Sequence, residues 1–251
     1  MYHKSFTIIE IVFVILIISI LSTFIAPSFK QDNLQLAANQ LLSHIKYTQH
    51  LAMSDNKFIP NEKVSNYSGI KQQKHPRYWF NGRWQIFFSS DGDAVGDSAY
   101  VIFSDTPSTS TTYLYRYEGN PNHSQSIKEV ALDPLNTSKY LIGTNFSSFD
   151  SDKKNKINEK LNLNKTYGIT KVDLSKGCSS SNRIFFDYNG KVFNSYLSDN
   201  NNTNNNNIYN PYININKDVC QIELQDSSIN KSIYICITPE TGYSYISKTG
   251  C

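Results

Sequence analysis

The sequence predicts an α+β protein, with a long N-terminal helix packed on an antiparallel β-sheet domain. Three observations predict it. Residues 5–26, SFTIIEIVFVILIISILSTFIA, are apolar over about twenty positions, the length at which a helix crosses a bilayer. Leu34, Ala38, Leu41, Ile45, Thr48 and Ala52 then recur at three- and four-residue steps, the stripe of an amphipathic helix. Beyond residue 57 come short runs rich in Tyr, Phe, Ile and Val, broken by Asn-Gly and other turn residues. The 17 Tyr and 14 Phe suit pleated, half-buried surfaces.

The first element carries one carboxylate, Glu10. A charged acid in hydrocarbon costs roughly 2.5–3.5 kcal/mol, so it persists with a partner or a task. Thr7 and Ser19 cost little, because a helix lets them bond their own backbone. The leader, residues 1–5, has Lys4 as its one firm positive charge. A secretory signal has a shorter apolar core with a small-x-small site after it. A plain signal anchor gives no reason for F-T-x-x-E. The run K-S-F-T-I-I-E before an apolar helix resembles the N-terminal signal of type IV pilins and type II secretion pseudopilins. That resemblance implies a prepilin peptidase cutting between Ser5 and Phe6 and N-methylating Phe6. The family usually has Gly before the cut; Ser5 keeps a small residue there.

The resemblance also implies an organisation. Residues 1–5 are the leader. Residues 6–57 form a helix, membrane-spanning in its first half and amphipathic in its second. Residues 58–251 form a periplasmic β-rich domain. The chain would be a single-pass protein of a bacterial inner membrane, with the peptidase, other pilins or pseudopilins and a membrane assembly platform as partners. Glu10 would be the assembly residue, its carboxylate meeting the methylated amine of a neighbouring subunit. Apolar packing alone would not set that register, since lipid already satisfies apolar side chains. Some tip subunits of such filaments lack this Glu, so its presence argues for a place just beneath the tip and leaves the position in the filament open.

Pro27 bends a helix and removes one backbone bond. We expect a continuous, bent helix through it, as in pilins. The polar face of the second half carries Gln35, Asn39, His44 and Lys46.

The β-domain reads as a series of hairpins. Residues 78–80 and 83–88 flank Asn81-Gly82, a pair that suits a type I′ turn. A strand is expected at 99–103, a loop at 104–112, and short strands at 113–118 and 128–132. Residues 153–163 read as a surface helix or a charged loop. Residues 183–188 and 191–194 flank a second Asn-Gly, Asn189-Gly190. Residues 198–210 are almost all Asn and read as a long loop with nothing apolar to bury. Runs at 219–224 and 232–238 precede the turn 239–242 and a last strand, 243–247. The order G-R-W-Q-I-F-F-S-S-D-G-D, N-R-I-F-F-D-Y-N-G-K-V, I-C-I-T-P-E-T-G-Y resembles minor pseudopilins of the GspH/FimT type. It implies a minor subunit of a type II secretion pseudopilus or a type IV pilus.

Net charge is +3 over 251 residues, which singles out no class of partner. All four Cys lie at or after Cys178, none in a C-x-x-C and none placed with His, which argues against zinc. An even Cys count beyond a membrane anchor points to disulfides in an oxidising compartment. Cys178, Cys220, Cys236 and Cys251 allow three connectivities. A hairpin centred near Ser228 sets Cys220 opposite Cys236, which predicts that pair and leaves Cys178 to Cys251.

No nucleophile elbow, metalloprotease, P-loop or dinucleotide motif is present, and the five His are scattered, so no enzyme and no cofactor is predicted. Two clusters remain. Asp91, Asp93 and Asp97 in S-D-G-D-A-V-G-D space carboxylates as a calcium loop does, without the later bidentate Glu of an EF-hand. Turn geometry explains the same residues. Asp150, Asp152 and Asn155 form a sparser version. Lys71, Lys74, Arg77 and Arg83 are interleaved with Tyr78, Trp79, Phe80 and Trp84. Basic groups reach phosphates and aromatic rings stack on bases, so a second reading is a DNA-binding subunit at a filament tip. The competing reading is a hairpin with ordinary charged outer positions.

Overall fold

The computed structural model describes residues 7–25, 32–57, 76–89, 98–106, 129–143, 156–194 and 215–251. The protein is α+β, with antiparallel sheets. It forms two compact units, Met1–Asn33 and Leu34–Cys251. Two helices lie where one was expected: α1, Ile8–Ile25, and α2, Asn33–Ser54. A single long helix is therefore not seen among the described residues, and Pro27 lies outside them. No described helix is long and apolar enough to cross a membrane. The side chains of the expected span are described only from Thr7 to Ile20.

In the second unit α2 buries Leu34, Ala37, Ala38, Leu41, His44, Ile45, Thr48 and Ala52. The predicted apolar stripe is present. His44 is the exception, expected on the polar face and found 9% exposed. It is buried because it has a partner: its Nδ1 lies 2.7 Å from the Tyr100 hydroxyl. Gln40 Nε2 donates to the same hydroxyl at 3.0 Å and to the Lys160 carbonyl at 2.8 Å, and the Tyr167 hydroxyl donates to Gln40 Oε1.

The first sheet has the order β2-β1-β6-β7. Its strands are β1 (Trp84–Ser89), β2 (Ala99–Ser104), β6 (Arg183–Phe186) and β7 (Val192–Phe193). Alternation along each strand sorts the two faces. Ile86, Phe88, Tyr100, Ile102, Ile184 and Phe186 join the core that contains α2. Ala99, Val101 and Phe103 join a second cluster with Val130, Ile142 and Ile157. β3 (Leu132–Asp133) and β4 (Asn136–Tyr140) form a small separate hairpin.

The second sheet has the order β10-β9-β8-β5. Its strands are β5 (Lys171–Lys176), β8 (Cys220–Asp226), β9 (Lys231–Ile237) and β10 (Ser244–Ser247). Ile222, Leu224, Ile233, Ile235 and Ile237 enter the same core as α2. α3, Leu163–Tyr167, follows a 3-10 turn, Glu159–Leu161, and is capped by Asn162 and by Gly168 in the left-handed region. Of the stretch 153–163, expected as a helix or charged loop, residues 153–155 lie outside the described residues, and the rest holds the 3-10 turn and the first residue of α3.

Three expectations change. Asn81-Gly82 does not turn a hairpin; Pro76–Gly82 is a 3-10 helix. Both edges of β1 are already taken, by β2 and β6, so a strand at 78–80 would have nothing to pair with. The second Asn-Gly hairpin does form, but only Gly190 has a positive φ, +79°, and Asn189 does not. Asp187 caps this turn, its Oδ1 accepting from the backbone of Asn189 and Lys191. The disulfides are Cys178–Cys220 and Cys236–Cys251. The β8–β9 turn holds four residues, Ser227 to Asn230, so Cys220 faces Ile237 and Gln221 faces Cys236. One residue of register puts the two cysteines on opposite faces of the sheet. Cys220 then meets Cys178 beside the end of β5, and Cys236 meets Cys251 on the outer face.

Two predictions follow from these contacts. Burial lowers the His44 pKa to about 4, with Asp133 opposing. The folded pKa lies below the unfolded one, so the neutral imidazole's stability is complete above about pH 6.5 and is lost as pH falls towards 4. The loss reaches about 3 kcal/mol. Urea titrations across that range will show it, and His44→Gln will flatten it. The second concerns glycine. A Cβ on Gly242, at φ +63°, would stand 2.2 Å from the Gly190 carbonyl oxygen, whereas one on Gly168, at φ +76°, meets nothing within 4 Å. Gly242→Ala will cost about 3 kcal/mol and Gly168→Ala about 1 kcal/mol in thermal melts.

Candidate functional site

α1 begins at a capping box. The Thr7 backbone N–H and hydroxyl donate to Glu10 Oε2 at 2.9 and 3.0 Å, and the Glu10 N–H faces Thr7 Oγ1 at 3.4 Å. Glu10 thus covers the Thr7 backbone donor, which the helix cannot satisfy itself, while the Glu10 N–H also reaches the Thr7 carbonyl at 3.1 Å. The carboxylate has acceptor capacity left. Its Oε1 accepts no hydrogen bond from the described residues. Ser19 Oγ donates to the Ile15 carbonyl at 2.7 Å, the backbone bond expected of it. Every described side chain of α1 from Ile8 to Ile20 is exposed, Ile8 at 84% and Phe13 at 65%. Over these residues the helix has an apolar surface all round, with Glu10 as its one carboxylate.

The box was readable in the sequence as T-x-x-E, and Thr7 is the partner that the reading of Glu10 left out. Ser5 and Phe6 lie outside the described residues, as do Asp91, Asp93 and Asp97, Asp150, Asp152 and Asn155, and Lys71 and Lys74. Among the described residues no cluster of His, Cys, Asp or Glu could hold a metal ion.

Arg77 sits in the 3-10 helix Pro76–Gly82, and Arg83 lies just beyond it. Arg83 is 4% exposed. Its guanidinium lies 4.1 Å from the Phe193 ring centroid and 5.0 Å from that of Trp79. Nearby Arg183 stacks on Phe87 at 4.0 Å and donates to Gln85 Oε1 at 3.3 Å. The interleaving of bases and aromatics is thus an internal stacking arrangement at Arg83.

A second constellation joins distant parts of the chain. Gln49 Nε2, on α2, donates to the carbonyls of Gly190 at 3.1 Å and Thr241 at 2.8 Å. These residues belong to the two glycine turns whose order carried the family resemblance. The Val192 N–H donates to the Pro239 carbonyl at 3.4 Å, and Lys191 pairs with Glu240 at 3.4 Å. No sequence signal marked Gln49, since a polar residue on an amphipathic helix reads as solvent-facing.

No family model, curated protein or solved structure matches the chain.

Arg83→Ala will cost about 2 kcal/mol in chemical denaturation, because it removes a buried side chain and its stacking on two rings. A residue whose task was to meet phosphates in solvent would be replaceable within about 0.5 kcal/mol.

Proposed function

We propose that this chain is a minor pilin or pseudopilin subunit, cut before Phe6, N-methylated there, and assembled into a type II secretion pseudopilus or a type IV pilus. The observation that carries the proposal is α1. Its described side chains, Ile8 to Ile20, are apolar and exposed on every side save Ser19 and one carboxylate, Glu10, in the first turn. An apolar helix with no buried face suits lipid or the packed core of a filament. An apolar N-terminal helix, then an amphipathic helix packed on antiparallel sheet, supports this reading, and so do two disulfides, which form in an oxidising compartment such as the periplasm. On this reading the chain spans the bacterial inner membrane once, with the domain carrying α2 and the sheets outside it. Its partners are the prepilin peptidase, neighbouring subunits and the assembly platform.

The physical role of Glu10 follows. Cutting before Phe6 leaves Thr7 as the second residue, so the capping box survives. An amine on a neighbouring helix can then take the acceptor sites that Thr7 leaves open. An unmet carboxylate among lipid tails is costly, so entry beside a neighbour is favoured and the axial register is set.

Mass spectrometry of the amino terminus, from a strain with the peptidase, will show methylated Phe6. An intact Met1 would contradict the proposal. Glu10→Leu will be cut and inserted normally, yet will not restore secretion or piliation to a deletion strain. Full restoration would show that the charge pair is dispensable.

A further inference from the structure

The two disulfides sit in different surroundings. Cys178 and Cys220 are fully buried and belong to the core that contains α2. Asn216 Nδ2 donates to Cys178 Sγ at 3.4 Å. The backbone beside them is close: a Cβ on Gly177 would stand 2.2 Å from the Asp218 carbonyl oxygen. A dissolved thiol reaches neither sulphur while the domain is folded. Cys236 and Cys251 are placed otherwise. Cys236 is buried but belongs to neither apolar cluster, and Cys251 is partly exposed.

A strap crosses Cys236. Beyond β10, Ser247 Oγ donates to the Gly250 carbonyl at 2.7 Å, and Gly250 lies in the left-handed region at φ +93°. This turn sends Cys251 back over the outer face of the second sheet. There it meets three strands in succession. Its sulphur bonds Cys236 of β9, its N–H donates to Gln221 Oε1 of β8 at 2.9 Å, and its carbonyl accepts from Lys176 Nζ at the end of β5. Gln221, Cys236 and Tyr245 stand in one row across the sheet, and the strap lies along that row. Little else holds it. Residues 248–250, Lys-Thr-Gly, bring no apolar side chain to bury. Two hydrogen bonds at a partly exposed residue gain little over bonds to water. The disulfide is therefore the fastening.

We propose that Cys236–Cys251 is a site of thiol–disulfide exchange with an external dithiol, while Cys178–Cys220 is a permanent bridge. A thiolate of the dithiol attacks Cys251 Sγ, the sulphur on the partly exposed residue. A new S–S bond forms there and the Cys236–Cys251 bond breaks. The electron pair leaves on Cys236 Sγ, which takes up a proton. The second thiol of the reagent then attacks the reagent sulphur of this mixed disulfide and releases Cys251 as a thiol. Two electrons and two protons have passed to the protein, and the dithiol has become a disulfide. The oxidised form of such a dithiol reverses the step. Exposed bridges exchange more readily than enclosed ones. The open strap uncovers Cys236 and Gln221 in the middle of the sheet face. The sheet itself stays, because β5, β8, β9 and β10 are joined by their own ladders. The site belongs to the second sheet and is independent of the role of α1.

The test uses the folded full chain in detergent micelles, with dithiothreitol as the dithiol. Excess maleimide added with denaturant stops the exchange, and peptide mass mapping shows which cysteines were free. Cys236 and Cys251 will be marked about a hundredfold faster than Cys178 and Cys220. Once dithiothreitol is removed, iodoacetamide without denaturant will alkylate Cys236, which a strap still seated would prevent. Gln221→Ala, which removes a hydrogen bond of the strap and no sulphur, will open the bridge about threefold faster. Equal rates at the two bridges would overturn the proposal, as would opening of Cys178–Cys220 first. So would a Cys236–Cys251 bridge that opens only when denaturant unfolds the domain, a measurement that needs no variant.

Discussion

A helix that buries one side must have every polar group on that side met, because an unmet one costs its full desolvation. In α2 those groups are Gln40, His44 and Thr48, joined at the margin by Gln49. Thr48 donates to the His44 carbonyl one turn back. Gln40 and His44 converge on the Tyr100 hydroxyl of β2. Gln49 reaches the β6–β7 turn and the β9–β10 turn at once. One helix therefore fixes the first sheet by its face and both sheets by their glycine turns. Apolar burial supplies the energy of this packing; the polar contacts choose which rotation and which shift of the helix are allowed.

The disulfides act on the second sheet in a different way. Cys178–Cys220 spans 42 residues and Cys236–Cys251 spans 15, which by chain entropy restrict the unfolded state by about 4 and about 3 kcal/mol. The first ties the chain leaving β5 to the start of β8. The second holds the last residues over the outer face, where the Cys251 N–H also donates to Gln221 Oε1 at 2.9 Å. Neither bridge joins β8 to β9 directly, and the pair has no need of one, since their ladder runs unbroken from Cys220 to Asp226.

Much of this was legible in the residues. The stripe of α2, β2, β6, β8, β9 and β10 stood where period and turn residues put them. What misled was information that is not local. Asn81-Gly82 has the composition of a hairpin turn, but the two sides of β1 belong to β2 and β6, which both lie later in the chain. β5, Lys-Val-Asp-Leu-Ser-Lys, carries too little apolar residue to signal a strand and is one only because β8 offers it an edge. His44 looked solvent-facing because its partner, Tyr100, is 56 residues on. The cysteine pairing turned on a single residue of turn length. At α1 the capping box was legible, and the exposure of the helix follows from a sequence with no polar face to hide or apolar face to choose.

The chain thus divides its chemistry. α1 keeps its apolar surface outward and one carboxylate capped, whereas α2 spends its apolar and polar contacts on closing the domain behind it. The claim at the centre is that α2 and the two sheets are one cooperative body. Native-state hydrogen exchange under rising denaturant measures this directly. The amides of Leu41 to Thr48 should exchange only through global opening, with the same free energy and the same denaturant slope as those of Ile86 in β1 and Ile235 in β9. Exchange of the α2 amides by a separate opening of lower free energy, while Ile86 and Ile235 stay protected, would contradict it.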